Sequence, residues 1–487
     1  MKNLRFFIIM LLGIVLFTGC DDDSIFYPKV KTASGITTVS GIRTGHLDKA
    51  LLLQLGFISH LVINDTIDSR DFQTMRDKMP NLTDIDLSNA TIAAYNGYEG
   101  TAGTRVYRYP ANAIPEFAFY DPAKSKAKKS LTSITFPKSI TSIRDYAFNR
   151  CSGLKGTLEI PVSVKDTIGK SAFSFCENLT GVSLSAVNFI GESAFQDCTG
   201  LAGSLVIPDS VFTIRPWAFA DCNSISSISI SSTVSEISAS AFYNCAALFL
   251  VEASNAIYSS SEGVLFDFDK FTLIQFPKSK AGNYIIPSTV ATIGRHSFAN
   301  CKALTTITIP SSVSTIEDYA FLGCSGLTGT FTISSGISYI GQYVFDDCPN
   351  ITGFQIAPEN TTFAFADGVL VDLGQLMIKR CVTSKTGAYV ISPDISTIDN
   401  AAFSNCTMLT SVTLPEAISY IGQRAFLNCT GLTSIYSKAA TPIDLSHSAT
   451  AFEGVKMGQC TLFVPVGAEG DYRAAGIWKD FVDIQEN

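Results

Sequence analysis

Ten copies of one short motif restrict this 487-residue chain to a repeat architecture. The motif is Ile-x3-Ala-Phe-x2-Cys-x2-Leu, and its successive cysteines lie 22 to 25 residues apart except across two gaps of 56 and 58 residues. A period in this range is typical of the coils of a leucine-rich-repeat solenoid. The ten motif cysteines are Cys151, Cys176, Cys198, Cys222, Cys245, Cys301, Cys324, Cys348, Cys406 and Cys429.

Each copy also carries the pattern of a short strand. The segment Leu304-x-x-Ile307-x-Ile309-Pro310 fits the leucine-rich-repeat strand signature, and the proline ends the strand. The following stretch, up to Ala320-Phe321, is too short for a full helix, and we predict one turn of α- or 3₁₀-helix there. One coil cannot bury its apolar residues alone, so coils must stack. Stacking explains 46% hydrophobic residues beside only 16% charged ones.

The repeated cysteines predict a buried ladder of free thiols rather than a disulfide framework. Equivalent positions in adjacent coils lie about 4.8 Å apart with parallel Cβ directions, whereas a disulfide needs converging Cβ atoms about 3.5–4.5 Å apart. Scattered disulfides are the alternative. No C-x-x-C pair supports zinc, and we predict neither a metal nor a cofactor. Cys381 and Cys460 lie outside the motif, and whether they are free or bridged is left open.

The two long gaps follow one design. Residues 255–327 align without a gap to residues 360–432, at an offset of 105 residues. Each gap holds about 33 extra residues with two short apolar runs, linked by Asp267-Phe268-Asp269 in the first gap and Asp372-Leu373-Gly374 in the second. Such links are typical of β-hairpins. The sequence therefore predicts two hairpin insertions, near residues 255–285 and 360–390.

The N-terminus has the pattern of an export signal. Lys2 and Arg5 precede an apolar run that ends at Cys20, and Leu16-Phe17-Thr18-Gly19-Cys20 resembles a bacterial lipobox. We predict a signal peptide over residues 1–19 and a lipidated Cys20 that anchors the chain in a membrane. An ordinary secretory signal is the alternative. Residues 20–45 are predicted as an acidic tether.

The acidic residues after Cys20 bear on where the anchored chain resides. Asp21, Asp22 and Asp23 resemble the surface-export signal of Bacteroidota lipoproteins. In enteric bacteria, Asp directly after the cysteine would instead indicate retention in the inner membrane. The resemblance to Bacteroidota lipoproteins implies an outer-membrane protein exposed on the cell surface.

The repeat signature over residues 131–436 resembles the BspA-like leucine-rich-repeat proteins, surface proteins of gut and oral Bacteroidota and of some protozoan parasites. The resemblance implies a right-handed α/β solenoid dominated by short β-strands, with repeats at 121–436 between capping regions at 46–120 and 437–487. It also implies attachment to host matrix proteins or to other bacteria. We therefore predict a cell-surface binding or adhesion protein with an extracellular protein or glycan ligand. An accessory component of a nutrient-uptake complex is the alternative, and the oligomeric state is left open.

Hydroxyl side chains recur at the outward strand positions. They predict a sheet face with almost no charge, which either keeps the strands soluble or binds protein or glycan through many weak hydrogen bonds. This candidate binding face comprises Thr132, Ser133, Thr135, Ser226, Ser227, Ser229, Thr305, Thr306, Thr308, Thr410, Ser411 and Thr413.

No catalytic constellation stands out, and we predict no enzyme. The pairs Asp267/Asp269 and Asp346/Asp347 are interpreted as solvated turn residues, because two catalytic carboxylates should flank a cleft about 5–10 Å apart. His296 occupies a variable motif position and is predicted to lie on the surface. With 35 Lys and Arg against 43 Asp and Glu, the net charge of −8 gives no basic field for nucleic acid.

Overall fold

The computed structural model describes residues 28–103 and 106–487, which form a stack of β-coils. The prediction of a repeat solenoid dominated by short strands is confirmed. The predicted lipidation site at Cys20 and the acidic residues Asp21, Asp22 and Asp23 lie outside the described residues.

One row of parallel strands forms the longer face of the stack. Inward residues of these strands are buried and outward residues are exposed, as the alternation of the sequence predicts. Several begin at a glycine in the left-handed region, such as Gly329 (φ 76°), where the register with the next strand shifts. The strands of this row are Ser133–Thr135, Gly156–Glu159, Leu179–Ser183, Gly203–Ile207, Ile225–Ile230, Leu248–Val251, Gly282–Ile285, Leu304–Thr308, Gly329–Ile333, Ile351–Ile356, Gly387–Val390, Leu409–Leu414, Ser434–Ser437, Thr461–Val464 and Asp483–Glu486.

A second row of two-residue strands carries the motif isoleucines. Their side chains point into the core, and each strand pairs in parallel with the equivalent strand of the neighbouring coil, as Ile293 does with Ile316. These strands are Ala113–Ile114, Ser142–Ile143, Thr167–Ile168, Phe189–Ile190, Thr213–Ile214, Glu236–Ile237, Thr292–Ile293, Thr315–Ile316, Tyr339–Ile340, Thr397–Ile398 and Tyr420–Ile421.

The Ala-Phe segment of each coil forms successive turns, so the predicted helical turn is wrong for the described repeats. Two residues per coil adopt the left-handed conformation, for example Tyr146 (φ 56°) and Arg150 (φ 59°), and this interrupts a right-handed helix. Alternate backbone N–H groups donate to the next coil instead of to their own turn. The amides of Tyr146, Phe148 and Arg150 donate to the carbonyls of Lys170, Ala172 and Ser174 at 2.7–2.8 Å.

The motif phenylalanines form a column of stacked rings through the core. Phe148, Phe173, Phe195 and Phe219 lie 5.1–5.5 Å apart between ring centroids and are nearly parallel. The buried apolar residues group into three clusters, which span Val39 to Leu265, Val264 to Val382 and Val369 to Ile484. The clusters meet where the insertions enter the stack.

The N-terminal region is more ordered than its sequence predicts. Lys29–Ala33 and Ile36–Ser40 form a hairpin whose second strand pairs in parallel with His60–Ile63. The tether prediction for residues 20–45 is therefore wrong for these strands, because Val39 is a buried core residue. The other elements here are helices Leu47–Leu51 and Ser69–Asp77 and strands Thr66–Ile67, Asp84–Asp86, Thr91–Ile92, Tyr95–Gly97, Tyr107–Tyr109, Tyr120–Asp121 and Lys126–Ala127.

Each insertion is a three-stranded antiparallel meander, so it holds one strand more than a single hairpin. The third strand pairs in parallel with the next short isoleucine strand and thereby rejoins the stack. The first insertion comprises Tyr258–Ser261, Val264–Asp267 and Thr272–Gln275, and the second comprises Phe363–Ala366, Val369–Asp372 and Met377–Cys381.

The last coils end in a cap built from helix Glu469–Ala474 and the 3₁₀-helix Ile477–Asp480. Trp478 and Tyr472 are fully buried there. The Trp478 indole N–H donates to the carbonyl of Ile443 at 2.8 Å, and the Tyr472 hydroxyl donates to the carbonyl of Ala439 at 2.9 Å. These side chains cover the end of the core, which an unpaired coil would expose to water.

Candidate functional site

The predicted hydroxyl residues lie together on the outward face of the long-strand row. Of the twelve, Thr305, Thr306 and Thr308 are exposed on one strand, and Ser227, Ser229, Ser411 and Thr413 are half-buried. Between Ser133 and Tyr436, Glu159 is the only charged residue at the outward positions that alternate with the buried residues of these strands. The structure therefore places the candidate residues on a common, nearly uncharged surface.

Apolar residues at outward positions were missed by sequence reasoning. Val206, Leu250, Ile285 and Val390 are 55–73% exposed, and the last three lie on strands that flank the two insertions. They alternate with the buried residues of their strands, as the hydroxyl residues do, and this alternation could have identified them in the sequence. These side chains add exposed apolar area to the hydroxyl-rich face.

An aromatic pair ends this face near the C-terminal cap. The rings of Tyr436 and Phe463 lie 4.6 Å apart at an interplanar angle of 7°, and both side chains are half-buried. Flat aromatic surfaces of this kind pack against apolar parts of a ligand. The two rings meet because Tyr436 pairs with Phe463 across adjacent strands.

The motif cysteines form the interior ladder that their spacing predicts. Twelve cysteines of the described residues are unpaired and buried, including Cys381 and Cys460. In eight motif copies the thiol donates to the carbonyl of the phenylalanine one coil earlier, at 2.9–3.6 Å. Burial raises the pKa of Cys151 and of Cys245 to about 12. These thiols are therefore structural and poorly nucleophilic.

His296 lies in the interior of the junction between the first insertion and the stack, so its predicted surface position is wrong. Only 5% of the residue is exposed, and its Nδ1 lies 2.8 Å from the Ser240 hydroxyl. Its ring stacks on Tyr319 at 4.7 Å and contacts the edges of Trp217 and Tyr243. Burial, aided by the positive charge of Arg295, lowers the pKa of His296 to about 4.

Two further polar side chains of this first junction, Gln275 and Lys278, are hydrogen-bonded. The buried Gln275 amide donates to the carbonyls of Phe276 and Ser297 at 3.2 and 3.3 Å. The Lys278 ammonium donates to the side-chain oxygens of Asn223 and Asn244. The buried Ser297 hydroxyl beside them has no hydrogen-bond partner among the described residues.

The second junction, between the second insertion and the stack, holds two buried ion pairs. The Lys379 ammonium donates to Asp399, and each side chain is 6% exposed. Arg380 donates to the carbonyl of Ala401 at 2.6 Å and lies 3.6 Å from Asp346, which is 3% exposed. Asp346 is therefore a buried partner of Arg380, and its interpretation as a solvated turn residue is wrong. Burial raises the pKa of Asp399 despite the adjacent ammonium.

A polar cavity of about 330 Å³ opens beside these ion pairs. Its walls come from five successive parts of the stack and include Lys302, Ser325, Asp347, Arg380, Thr383 and Asn405. The Asn405 amide donates to Asp347 at 3.3 Å, and the Thr383 hydroxyl donates to the carbonyl of Pro349 at 3.0 Å. The equivalent place at the first junction is occupied by the Lys278 side chain.

Comparison with protein-family models identifies the repeat. A model described as "BspA type Leucine rich repeat region" matches in six copies, over residues 112–248, 202–284, 275–367 and 377–454. The chain belongs to the BspA-type leucine-rich-repeat family. The predicted resemblance is confirmed, and comparison with curated proteins gives no match.

Solved structures of bacterial leucine-rich-repeat proteins are similar to this family member. A leucine-rich cell-surface protein of Faecalibacterium prausnitzii is 21% identical, with 87% of this chain and 95% of that chain covered at a TM-score of 0.46. A leucine-rich-repeat protein of Bacteroides ovatus is 20% identical, with 96% and 100% covered at a TM-score of 0.41. One from Eubacterium ventriosum is 21% identical, with 88% and 93% covered at 0.41.

BspA-type proteins are generally found at the cell surface, and the leucine-rich-repeat solenoid is typically a binding scaffold rather than a catalyst. In the described part of this family member, no helix is both long and apolar enough to cross a bilayer. The described residues also contain no cluster of three or more His, Cys, Asp or Glu that could hold a metal ion. The carboxylate of Asp267 accepts the backbone N–H of Thr272 at 2.9 Å, which is a turn contact.

Proposed function

We propose that this BspA-type protein is a cell-surface binding or adhesion protein whose ligand, a protein or a glycan, contacts the outward face of the long-strand row. The observation that supports the proposal most is the composition of that face. Hydroxyls, a single carboxylate and isolated apolar side chains share one extended surface. Such a surface offers many weak hydrogen bonds and small apolar contacts without a charge penalty for desolvation.

The proposal includes the attachment of the chain to the outer membrane. The lipobox-like sequence ending at Cys20 and the following Asp21, Asp22 and Asp23 support a lipid anchor and surface exposure. Cys20→Ala should release the protein from the membrane fraction. Protease added to intact cells should degrade the wild-type protein, and a protein left uncut would contradict surface exposure.

Ligand binding is tested with an array of matrix proteins and glycans probed with the full-length chain. A triple variant, Thr306→Glu with Thr308→Glu and Thr330→Glu, places three negative charges on exposed positions of adjacent outward strands. We expect it to bind at least about tenfold more weakly than the wild type, because each carboxylate must lose water at the interface.

The matched control is a charge of the same kind placed elsewhere on the surface. Ser311→Glu adds one carboxylate at an exposed turn outside the strands. It should leave both ligand binding and the melting temperature unchanged. If the triple variant binds every array ligand as the wild type does, the long-strand face is not the binding surface.

A further inference from the structure

The 105-residue duplication allows each side chain of one junction to be compared with its equivalent in the other. Thr383 takes the place of Lys278 in the aligned insertions. In the coils before each insertion, Ser325 stands where Asn223 does, one residue after a motif cysteine. Asp347 stands where Asn244 does, one residue before the next motif cysteine.

At the first junction this place already holds an ammonium group. The Lys278 Nζ donates to Asn244 Oδ1 at 3.0 Å and also to Asn223 Oδ1. Burial lowers the pKa of Lys278, and nearby Asp221 opposes that shift. Asp221 Oδ1 accepts a hydrogen bond from Asn244 at 2.5 Å, so one carboxylate supports the ammonium indirectly.

The second junction retains the acceptors and lacks the lysine. Thr383 is too short to reach Ser325 and Asp347, and its hydroxyl is used by the carbonyl of Pro349. Gly323 replaces Asp221, which removes a further side chain and leaves the cavity of about 330 Å³. A carboxylate, Asp347, now occupies the position of the neutral Asn244. Within the described part of the chain, no cationic nitrogen forms an ion pair with Asp347.

We propose that this cavity binds the primary ammonium group of a lysine side chain from a protein partner. A lysine side chain fits because the equivalent space in this protein accommodates Lys278, and Asp347 strengthens the hydrogen bond by adding opposite charge. That the partner is a protein rests on the proposed binding function. The affinity of the cavity for a lysine side chain can be measured without that partner. Two cationic side chains also line the cavity. Arg380 is paired with Asp346, whereas the positive charge of the exposed Lys302 has no such partner among the described residues at the cavity and opposes a bound cation.

Removal of the Lys302 charge tests whether the cavity binds a cation. Blocked lysine (N-acetyl-lysine methylamide) is titrated into the full-length chain and followed by NMR, with blocked norleucine as the uncharged control. Lys302→Ala should strengthen lysine binding, and Asp347→Asn should weaken it about tenfold. If Lys302→Ala weakens binding, or if blocked norleucine binds equally well, the pocket is not an ammonium site.

Matched variants place the residue of one junction at the equivalent position of the other, Lys278 or Thr383. Thr383→Lys should fill the cavity from within, abolish binding of blocked lysine and raise the melting temperature. Thr383→Met, which fills the same space without charge, should abolish binding as well. Lys278→Thr should create a second binding site at the first junction.

Two outcomes would overturn the proposal and leave the outward-face function standing. In the first, the wild-type protein binds ligands on the array, but titration with blocked lysine causes no saturable change in its NMR spectrum. The other is binding of glucosamine but not of blocked lysine, which would assign the ammonium to a sugar instead of a protein.

Discussion

The two insertion junctions have one backbone design and opposite chemistry. At the first, a neutral glutamine, a buried histidine and a self-satisfied lysine fill the space between the meander and the stack. At the second, Arg380, Ala401 and Thr383 take these three places, two buried ion pairs lie among the surrounding residues, and a cavity remains. The same three-stranded meander therefore forms on two junctions that are lined by different side chains.

The shared feature is a buried asparagine at the start of each insertion. The Asn255 amide donates to the carbonyls of Ser231 and Val234, and its oxygen accepts the N–H groups of Ile257 and Tyr258. Asn360 makes the equivalent four hydrogen bonds, to the carbonyls of Ser334 and Ile337 and from the N–H groups of Thr362 and Phe363, at 2.8–3.1 Å. Each side chain thus satisfies four backbone groups where the coil path changes.

The largest expected effect is loss of either asparagine. Asn255→Ala and Asn360→Ala each leave two carbonyls and two N–H groups without their side-chain partner, at about 1–3 kcal/mol per group that water cannot reach. We expect both to lower the free energy of unfolding by about 4–6 kcal/mol in urea denaturation. The exposed Asn283→Ala is the control and should cost less than about 0.5 kcal/mol. Clearly unequal losses at the two sites would break the equivalence of the insertions.

A second prediction concerns the charge that distinguishes the junctions. Asp399→Ala leaves the Lys379 ammonium buried without its carboxylate and should destabilise the protein by about 3–5 kcal/mol. The double variant Lys379→Ile with Asp399→Gly installs the residues of the first junction, Ile274 and Gly294. It should be near neutral or stabilising in the same denaturation experiment. A double variant as unstable as the single one would show that the second junction requires its ion pair.

The buried histidine makes a pH-dependent prediction for the first junction. The folded-state pKa of His296 is about 4, below its ordinary value of 6.5. Protonation therefore favours the unfolded chain, so the contribution is complete above pH 6.5 and is lost as the pH falls toward 4, on the order of 2 kcal/mol. His296→Tyr, which matches Tyr319 in the next coil, should flatten this part of the pH profile of thermal unfolding. An unchanged difference between pH 7 and pH 4.5 would contradict it.

The smallest expected effect concerns the first two motif thiols after the first insertion. The Cys324 thiol donates to the carbonyl of Phe298 at 2.9 Å, whereas Cys301, the first motif cysteine after the insertion, has only a 4.0 Å contact with Ala299. Cys324→Ala should therefore cost about 1 kcal/mol more than Cys301→Ala in urea denaturation. Equal costs would mean that the thiol acts only by filling space.

The repeated core was predictable because its signal is periodic. Isoleucine, phenylalanine and cysteine recur at fixed offsets, and stacking follows from their inability to be buried within one coil. The local conformation of the Ala-Phe segment was not predictable in the same way. Its amides bond to the following coil, about 23 residues away, and two left-handed residues per coil exclude the expected helical turn.

The residues that were missed depend on contacts between distant parts of the chain. His296 meets Ser240 across 56 residues, so its variable position in the motif gave no sign of burial. Arg380 and Asp346 form a pair that spans the second insertion. The alignment of Asn255 with Asn360 was visible in the sequence, but its cause became clear only from the four hydrogen bonds that each asparagine makes.

The division of the core into three clusters has a mechanical consequence. Tension applied to the two ends of the chain loads the coils in series, and the core is divided into three clusters at the insertions. We therefore expect the solenoid to unfold under tension in several steps rather than in a single event. A released 105-residue unit would lengthen the chain by about 350 Å while its neighbours remain folded.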